Sequence, residues 1–384
     1  MKKYLLAPGP TPIPPAVSGA LAAPIMHHRM QAFADLFKGV IEDLKWLMMT
    51  KNDVVTLAST ATGALEASVS NFLWKGAKVI TISGGKFGQR WAEIVKAYGL
   101  EPVIIDVEWG KAVTIEQIDQ AFKDNPDAVA LFATYSETST GVAHPIREIG
   151  DYIRNNHPNT LFVVDAVTAL GIFEIRTDDW GIDVLVGGSQ KGLMLPPGLA
   201  MITISPKAWE FNKKSDLPKF YLDLAKEAKA HKKGQTAYTS AISHIMGLRQ
   251  SLNMFKEDGL KTVFNHFQGI AHGMRQAAVS MGLELLAPES PSPSITSIKA
   301  PAGIDGQVIV KKMEERGITI AGGQARLKGK IFRIGHMGYM DEGDMMATLL
   351  NLEEVLTELG FAVEPGVGVA GFVRGRSEYF KQMI

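Results

Sequence analysis

The stretch that decides the fold is Ile182-Asp183-Val184-Leu185-Val186-Gly187-Gly188-Ser189-Gln190-Lys191, and Gly198-Leu199-Ala200 follows it after six residues. An apolar strand, a turn of glycine and serine and then a lysine place an amine at the end of a buried strand. Burial disfavours the charged ammonium and lowers its pKa, so the amine of Lys191 can attack a carbonyl. A lone lysine at a strand end is more often a surface residue, so this interpretation depends on the rest of the chain.

Short apolar runs alternate with longer amphipathic stretches on both sides of this motif, from about Asp53 to Ser205. The alternation is typical of a mostly parallel sheet covered by helices, which makes the predicted fold class α/β. The predicted strands are Val54–Leu57, Lys78–Ile82, Pro102–Asp106, Ala128–Thr134, Leu161–Asp165, Asp183–Val186 and Ala200–Ile204. The predicted helices between them are Thr62–Trp74, Phe87–Tyr98, Ile115–Phe122 and Ile146–Asn155.

After Ser205 the pattern changes, and the strand signals stop. Helical patterns cover Leu222–Lys233 and Ser240–Met281, the second as two helices that meet near Asp258-Gly259. Beyond a proline-rich break the predicted elements of a small α+β domain are a strand near Ile295–Lys299, a helix near Gly306–Arg316, a strand near Ile331–Ile334 and a helix near Asp341–Leu359. We predict an N-terminal arm at 1–20, a large domain at 21–258 and a small C-terminal domain at 259–384.

Composition narrows the class of ligand. The 384 residues are 46% hydrophobic, and 40 basic residues balance 40 acidic ones to a formal net charge of zero. No global field therefore attracts nucleic acid or an anionic membrane, and we expect small-molecule ligands. There is no cysteine, which removes disulfides and thiolate sites and fits a reducing cytoplasm. No apolar run approaches the length of a membrane helix, and the predicted location is cytoplasmic.

A carboxylate follows another apolar strand upstream, in Leu161-Phe162-Val163-Val164-Asp165-Ala166-Val167. Ligands of parallel sheets collect outside the carboxyl ends of the strands, where Asp165 is expected. A buried aspartate stays charged only beside a cation or hydrogen-bond donors, and a protonated pyridine nitrogen would serve. Taken alone, Asp165 is equally well explained as a helix N-cap or a loop residue.

Small and hydroxyl-bearing residues lie between a predicted strand and a predicted helix, at Ala58-Ser59-Thr60-Ala61-Thr62-Gly63-Ala64. Free backbone N–H groups and the positive end of the helix dipole bind phosphate at such a place. Serine and threonine are also common as simple helix caps. The motif indicates a phosphate site only in combination with other motifs.

Two further side chains are candidates for ligand contact. Phe87 stands at a strand-to-helix junction at the same sheet edge, where its ring could lie against a planar heteroaromatic ring, although a core position is commoner for phenylalanine. Arg333 alternates with apolar residues in the predicted strand Ile331–Ile334. Its planar guanidinium matches a carboxylate with two hydrogen bonds, and a structural salt bridge is the alternative.

The ordered set of motifs resembles the class V aminotransferases of the fold type I pyridoxal phosphate enzymes, most of all the alanine–glyoxylate and serine–pyruvate aminotransferases. The resemblance covers nearly the whole chain. The matching stretches are Leu6-Ala7-Pro8-Gly9-Pro10-Thr11, Thr62-Gly63-Ala64-Leu65-Glu66-Ala67, Phe87-Gly88-Gln89-Arg90-Trp91, Glu137-Thr138-Ser139-Thr140-Gly141-Val142, Val164-Asp165-Ala166-Val167, Gly188-Ser189-Gln190-Lys191, Pro196-Pro197-Gly198 and Phe332-Arg333-Ile334-Gly335. It implies a seven-stranded, mostly parallel sheet flanked by helices, a smaller C-terminal α+β domain, and pyridoxal 5'-phosphate as cofactor.

The resemblance also implies roles for single residues around the cofactor ring. Lys191 would form the Schiff base, and Asp165 would pair with the pyridine nitrogen. Val167 would pack on one face of the ring and Phe87 on the other. Arg333 would bind the α-carboxylate of the substrate.

Other matches concern the phosphate and the ring hydroxyl. Ala61 and Thr62 would offer backbone N–H groups to the phosphate, and Gln190 would add a side-chain donor. Ser139, and less closely Thr138, would lie near the ring hydroxyl.

A contribution from a neighbouring subunit is implied as well. In the family a second subunit also contacts the phosphate, and the matching piece here is Thr239, since Tyr238 does not align with the tyrosine of this loop. The resemblance thus implies a homodimer with shared active sites.

The implied reaction moves the amino group of a small amino acid, serine or alanine, to glyoxylate or pyruvate, with aspartate left open as the donor. The cysteine desulfurase and selenocysteine lyase branch resembles the chain around the lysine. Desulfurases need a cysteine nucleophile and usually carry histidine before the lysine, where this chain has Gln190 and no cysteine at all. The non-enzymatic alternative is a partner subunit of a soluble hydrogenase, a label given to close relatives.

Overall fold

The computed structural model describes residues 3–383. Residues 1, 2 and 384, which belong to the predicted arm and the predicted small domain, lie outside the described residues. The helices are α1 (Pro15–Ala22), α2 (Gln31–Leu47), α3 (Ala61–Phe72), α4 (Lys86–Ala97), α5 (Ile115–Asp124), α6 (Ile146–Asn156), α7 (Pro206–Lys214), α8 (Leu224–His231), α9 (Ile242–Asp258), α10 (Leu260–Ser280), α11 (Gly306–Glu315), α12 (Glu342–Glu358) and α13 (Val367–Lys381). The strands are β1 (Tyr4–Leu5), β2 (Asp53–Leu57), β3 (Lys78–Ser83), β4 (Pro102–Asp106), β5 (Ala128–Thr134), β6 (Ser136–Glu137), β7 (Val142–Ala143), β8 (Leu161–Asp165), β9 (Val184–Gly188), β10 (Ala200–Ile204), β11 (Ile295–Lys299), β12 (Ile318–Thr319), β13 (Ala321–Gly322) and β14 (Ile331–Gly335).

Seven strands form the central sheet in the order β2-β10-β9-β8-β5-β3-β4. Strand β10 is antiparallel to both of its neighbours, and the other pairs are parallel. The prediction of a mostly parallel seven-stranded sheet is confirmed, and each predicted strand is present with ends displaced by at most two residues. Because β2 runs in the same direction as β9, the carboxyl ends of six strands meet at one edge.

Both faces of this sheet are buried. In β5 the side chains of Leu131 and Ala133 enter one apolar core, whereas those of Ala130 and Phe132 enter the core on the opposite face. Successive side chains of a strand point to opposite faces, so a strand that is covered by helices on both sides reads as a continuous apolar run. This explains why the strand sequences contain so few polar residues.

A smaller antiparallel sheet, β11-β14-β13, forms a third core with α10, α11, α12 and α13. The N-terminal segment joins it, because β1 pairs in parallel with β12 and Leu6 is buried in the same core. The chain then crosses to the large sheet, where the hydroxyl of Thr11 donates to the carbonyl of Lys191 at 2.9 Å. Residues 4–11 thus connect the small sheet to the loop after β9.

Helices were predicted less completely than strands. The break near Asp258-Gly259 is present between α9 and α10, but α1, α2, α7 and α13 were missed. For α7 the sequence does carry the start pattern, because Ser205 caps the helix through Ala208 N and Pro206 follows it. Among residues 3–383, no helix combines the length and the apolar character needed to cross a membrane.

Candidate active site

A cleft of about 100 Å³ opens at the carboxyl edge of the central sheet. Its walls come from the segments that follow β2, β3, β5, β8 and β9, so residues far apart in sequence meet there. The lining residues are Thr60, Ala61, Thr62, Leu65, Phe87, Arg90, Ser136, Thr138, Asp165, Val167, Thr168, Gln190 and Lys191. The structure therefore brings together seven of the predicted site residues: Ala61, Thr62, Phe87, Asp165, Val167, Gln190 and Lys191.

Lys191 lies in the loop after β9, with its amine in the cleft. The amine donates to the carbonyl of Pro8, and Gly9 packs so closely that a Cβ there would overlap Nζ. Gly9 has a φ of 105°, which also favours glycine. Burial lowers the pKa of Lys191 to about 8, Asp165 opposes this shift, and the positive charges of Arg333 and Arg90 add to it.

Asp165 is the last residue of β8 and is only 5% exposed. Its Oδ1 accepts from Val167 N at 2.9 Å, whereas its Oδ2 accepts no hydrogen bond from residues 3–383. Burial raises the pKa of Asp165 to about 6, and the nearby positive charges of Arg90 and Lys191 partly offset the rise. A buried carboxylate with one unpaired oxygen facing a cleft fits a ligand that carries an N–H donor.

The start of α3 forms the opposite end of the cleft. The N-cap residue Thr60 makes no side-chain capping bond, and neither Ala61 N nor Thr62 N has an acceptor within residues 3–383. Beside them the buried side-chain oxygen of Gln190 has no hydrogen-bond partner in the described structure. Unpaired backbone donors at a helix start fit an anion such as phosphate.

Phe87 is positioned by a buried carboxylate that the sequence analysis did not single out. Glu137 accepts from Phe87 N at 3.0 Å, Gly88 N at 2.8 Å, Ser139 N at 3.1 Å and Ser139 Oγ at 2.5 Å. Burial raises the pKa of Glu137, and these hydrogen bonds oppose the rise. Ser139 is fully buried and lies behind the cleft wall, whereas its neighbour Thr138 lines the cleft.

Arg333 is 3% exposed and lies in the middle of β14. Its Nε and Nη2 donate to the carbonyl of Gly322 at 2.9 and 2.6 Å, and its Nη1 donates to the carbonyl of Thr138 at 2.7 Å. No carboxylate within residues 3–383 is at ion-pair distance, so the structure does not contain the salt bridge considered above. Three of the five N–H groups are used, which leaves one on each terminal nitrogen for an anion.

Thr239 does not reach this cleft within its own chain. It is exposed and lies with Tyr238 at a second, smaller cavity beside Thr56–Ala58. Tyr238 donates to the carbonyl of Phe220 and accepts from Lys226, each at 2.9 Å. Because Thr239 is exposed, its side chain is available to another chain.

Arg90 is the second functional candidate that sequence reasoning missed. It lines the cleft, donates to Thr62 Oγ1 at 3.2 Å, and places its guanidinium carbon 4.9 Å from the centre of the Phe87 ring. The available signal was its spacing from Phe87, because residues three apart on a helix lie on one face.

Together with the sheet topology, the cleft defines the fold type I class of pyridoxal phosphate-dependent enzymes. A model of the family described as aminotransferase class-V matches residues 3–342. The chain belongs to the class-V aminotransferase family.

Three curated relatives align along almost the whole chain. The small subunit of a soluble hydrogenase from Synechococcus sp. (strain PCC 6716) is 41% identical, over 97% of this chain and 98% of the relative. The L-aspartate–glyoxylate aminotransferase of Paracoccus denitrificans is 34% identical, over 98% and 96%. The serine–glyoxylate aminotransferase of Methylorubrum extorquens is 33% identical, over 96% and 94%.

A solved structure shows the same architecture. The ureidoglycine–glyoxylate aminotransferase of Bacillus subtilis superposes with a TM-score of 0.92 at 28% identity, covering 99% of this chain and 98% of that one. The family model, two of the three relatives and the structural neighbour are aminotransferases by name, so the chain is a transaminase. The fold of this family implies dependence on pyridoxal phosphate.

Proposed function

We propose that the protein is a pyridoxal 5'-phosphate-dependent aminotransferase that moves the amino group of a small amino acid, serine or alanine, to the 2-oxo acid glyoxylate or pyruvate. The observation that carries the proposal is the cleft that holds the amine of Lys191 and the half-paired carboxylate of Asp165 at one sheet edge. The names of the aminotransferase relatives, each of which includes glyoxylate, support glyoxylate as the acceptor.

The residues of the cleft fit this cofactor. The unpaired Oδ2 of Asp165 suits a pyridinium N–H, and the free N–H groups of Ala61 and Thr62 suit a phosphate. Gln190 lines the cleft as well, and its side-chain N–H₂ is the group that could donate to the phosphate. We propose that Phe87 and Val167, which both line the cleft, pack on the two faces of the ring. We also propose that Ser139 lies near the ring hydroxyl, on the far side of the cleft wall that its neighbour Thr138 forms.

Bound pyridoxal phosphate supplies an electron sink for the pair released when the Cα–H bond of the amino acid breaks. Lys191 would anchor the cofactor, and its free amine would take the proton from Cα. Its pKa of about 8 leaves part of the amine neutral near neutral pH, as a base requires. Asp165, as a carboxylate, keeps a proton on the ring nitrogen.

Arg333 binds the α-carboxylate in this proposal. The three hydrogen bonds from Nε, Nη1 and Nη2 fix the plane of the guanidinium. One N–H group on Nη1 and one on Nη2 remain free, and a carboxylate can accept a hydrogen bond from each. Because Arg333 is nearly inaccessible and has no acid partner in the described residues, a bound anion would satisfy a buried charge.

The arm that crosses the cleft favours a small donor. Pro8 and Gly9 contact the amine of Lys191, whose place on the cofactor the substrate nitrogen would take, so little space is left beside it. Serine and alanine carry side chains of at most two heavy atoms, whereas aspartate would bring a second carboxylate. Aspartate is therefore the less favoured donor, although one relative carries that name.

We also propose a homodimer with shared active sites. Ile25 is 68% exposed, Met30 53%, Phe220 75% and Tyr221 47%. Arg29 donates to Gln235 at 2.6 Å, and Tyr238 in the same loop contacts the rings of Phe220 and Tyr221, so this loop connects the two exposed segments. An exposed apolar patch of this kind marks an association surface. Thr239 lies beside it, in position to serve the phosphate site of the other subunit.

Three further points remain proposals. We propose the division into an arm (1–20), a large domain (21–258) and a small domain (259–384), which the break between α9 and α10 supports, although α1 begins inside the arm at Pro15. The cytoplasmic location rests on the absence of cysteine. The hydrogenase name belongs to the relatives that carry it. The seven predicted cofactor residues that line this cleft favour an enzyme.

Reduction of the purified protein with borohydride tests the central assignment. We expect the cofactor to become fixed on a single peptide, the one that contains Lys191, and Lys191→Ala to fold normally without transaminating. A cofactor fixed on any other peptide would refute the proposed function. Screening amino donors against glyoxylate and pyruvate then orders serine, alanine and aspartate by kcat/KM.

A further inference from the structure

We propose that Arg90 is the cation that binds the phosphate of the cofactor, an inference that rests on the proposed function. Arg90 lies in the second turn of α4 and lines the same cleft as Lys191. Its Nη1 donates to Thr62 Oγ1 at 3.2 Å, and Thr62 is the second residue of α3. The guanidinium therefore lies next to the free N–H groups that form the phosphate end of the cleft.

The charge of Arg90 has no acid partner in residues 3–383. Lys86, on the same helix, pairs with Glu93 at 2.9 Å, whereas no carboxylate is within ion-pair distance of Arg90. Arg90 makes one side-chain hydrogen bond, to Thr62, so four of its five N–H groups are free for a ligand. Such a group at the rim of a cleft is ready to bind an anion.

The amount of charge at this end of the cleft requires a cation. A phosphate ester carries roughly −1.5 to −2 charges at pH 7, and a helix start supplies only about +0.5. Among the residues that line the cleft, the cationic side chains are Lys191 and Arg90. Lys191 is committed to the aldehyde end of the cofactor, so Arg90 is the group that can balance the phosphate.

The ring of Phe87 holds the guanidinium in place before any ligand arrives. The carbon Cζ of Arg90 lies 4.9 Å from the ring centre, within the range of a cation–π contact. The backbone of Phe87 is in turn fixed by Glu137. Arg90 is therefore preorganised, and little side-chain entropy is lost when its remaining donors bind a phosphate.

Titrating the cofactor-free protein with two forms of the cofactor tests the inference without measuring activity. Pyridoxal phosphate and unphosphorylated pyridoxal are titrated into wild type, Arg90→Gln, Arg90→Lys and the control Lys86→Gln, and binding is followed by absorbance. We expect Arg90→Gln to raise the Kd of pyridoxal phosphate about tenfold to hundredfold, the effect of one or two charge-assisted hydrogen bonds, and to leave that of pyridoxal unchanged. Arg90→Lys should recover part of the loss, and Lys86→Gln should match wild type.

Inorganic phosphate provides a second probe. It should raise the melting temperature of the cofactor-free wild type and of Lys86→Gln, and raise that of Arg90→Gln less. If Arg90→Gln binds pyridoxal phosphate and pyridoxal more weakly by the same factor, Arg90 only supports Phe87 and the inference is overturned. Unchanged binding of both forms would overturn it as well. If the wild type captures pyridoxal phosphate at Lys191 and Arg90→Gln binds it equally well, this inference alone is refuted. If the wild type does not capture pyridoxal phosphate at Lys191, the proposed function is refuted too.

Discussion

Burial shifts the pKa values of two side chains in the cleft, Lys191 and Asp165, in opposite directions. Removal from water disfavours the charged form of each group, so the pKa of Lys191 falls to about 8 and that of Asp165 rises to about 6. Between these values the aspartate is ionised and part of the lysine is neutral. This is the combination that an amine nucleophile beside a cationic ring requires.

The lowered pKa of Lys191 predicts how capture of the cofactor depends on pH. Only the neutral amine attacks the aldehyde, so the capture rate should rise with pH and level off above about 8. An unperturbed lysine would continue to gain reactivity up to roughly pH 10.4. Stopped-flow absorbance on the cofactor-free protein measures the rate, with Lys191→Ala as the background. A rate that keeps rising through pH 10 would contradict the lowered pKa.

Arg333→Lys tests the proposed carboxylate site. Lysine keeps the charge but loses the two parallel donors, so KM for amino acids and oxo acids should rise. We expect kcat/KM to fall about tenfold to hundredfold, corresponding to about 1.5–3 kcal/mol of transition-state binding. Cofactor binding should persist. A large loss of melting temperature with unchanged kinetics per folded molecule would show that Arg333 only anchors Gly322 and Thr138.

The sequence allows some site residues to be predicted and hides others. Lys191 and Asp165 each follow a long apolar strand, so local pattern alone places them at a sheet edge. Glu137 and Arg90 act through partners that only the fold supplies, 50 residues away at Phe87 N and 28 residues away at Thr62. No spacing rule within one element connects such pairs.

At the scale of elements, Glu137 joins the start of α4 to the loop that contains Ser139. Its carboxylate accepts from Phe87 N and Gly88 N at the positive end of the helix dipole, and from both donors of Ser139. The same side chain therefore sets the position of the residue proposed to stack on the cofactor and of the serine behind it.

Glu137→Gln separates this positioning role from stability. The amide keeps the shape but turns an N–H₂ toward existing donors, so the free energy of unfolding should fall by about 1.5–3 kcal/mol. Displacement of Phe87 should also weaken cofactor binding by about tenfold, or about 1.4 kcal/mol. Chemical denaturation and cofactor titration measure the two effects.

Glu353→Gln is the matched control. Glu353 is also buried and accepts from Gly366 N at 2.7 Å and Gly368 N at 2.6 Å, at the start of α13 and outside the cleft. We expect a similar loss of stability with unchanged cofactor affinity. If Glu137→Gln and Glu353→Gln bind the cofactor with equal affinity, Glu137 has no positioning role.

Helix α13 shows why some elements escape a sequence pattern. It contains Gly368, Gly371 and Gly375, which lower the intrinsic tendency to form a helix. A Cβ on Gly371 would lie 2.5 Å from the hydroxyl of Ser280, and one on Gly375 would lie 2.5 Å from Cγ of Gln276. Close packing on α10 stabilises the helix, and that contact is invisible in the local sequence.

At the scale of the molecule, the parallel direction of the strands follows from the chain pattern better than the surface does. Alternating strands and helices predict a parallel sheet, because a helical crossover returns the chain to the edge where the previous strand began. The order of the strands does not follow from this pattern, since β2 and β3 are far apart in the sheet. The exposed apolar patch that contains Phe220 and Ile25 combines segments almost 200 residues apart, so only the folded chain displays it.

Phe220→Asp tests whether this patch is the subunit interface. A charge at a residue that is 75% exposed should leave the chain folded, while it should prevent burial of the patch in a dimer. We expect sedimentation to show monomers. Cofactor affinity should also fall, since the phosphate would lose Thr239 of the other subunit. If Phe220→Asp sediments like wild type and binds the cofactor normally, this surface is not the subunit interface. Val373→Asp, at an exposed residue of α13, is the control.

The crossing arm also determines when the site can be completed during synthesis. Tyr4 pairs with Ile318, Leu6 accepts from Gly335 N, and Thr11 binds the carbonyl of Lys191. A ribosome makes the arm before its strand partners, which emerge more than 300 residues later. The arm is thus among the last elements to be placed, so Pro8 and Gly9 cover Lys191 only after both the large sheet and the small sheet have formed.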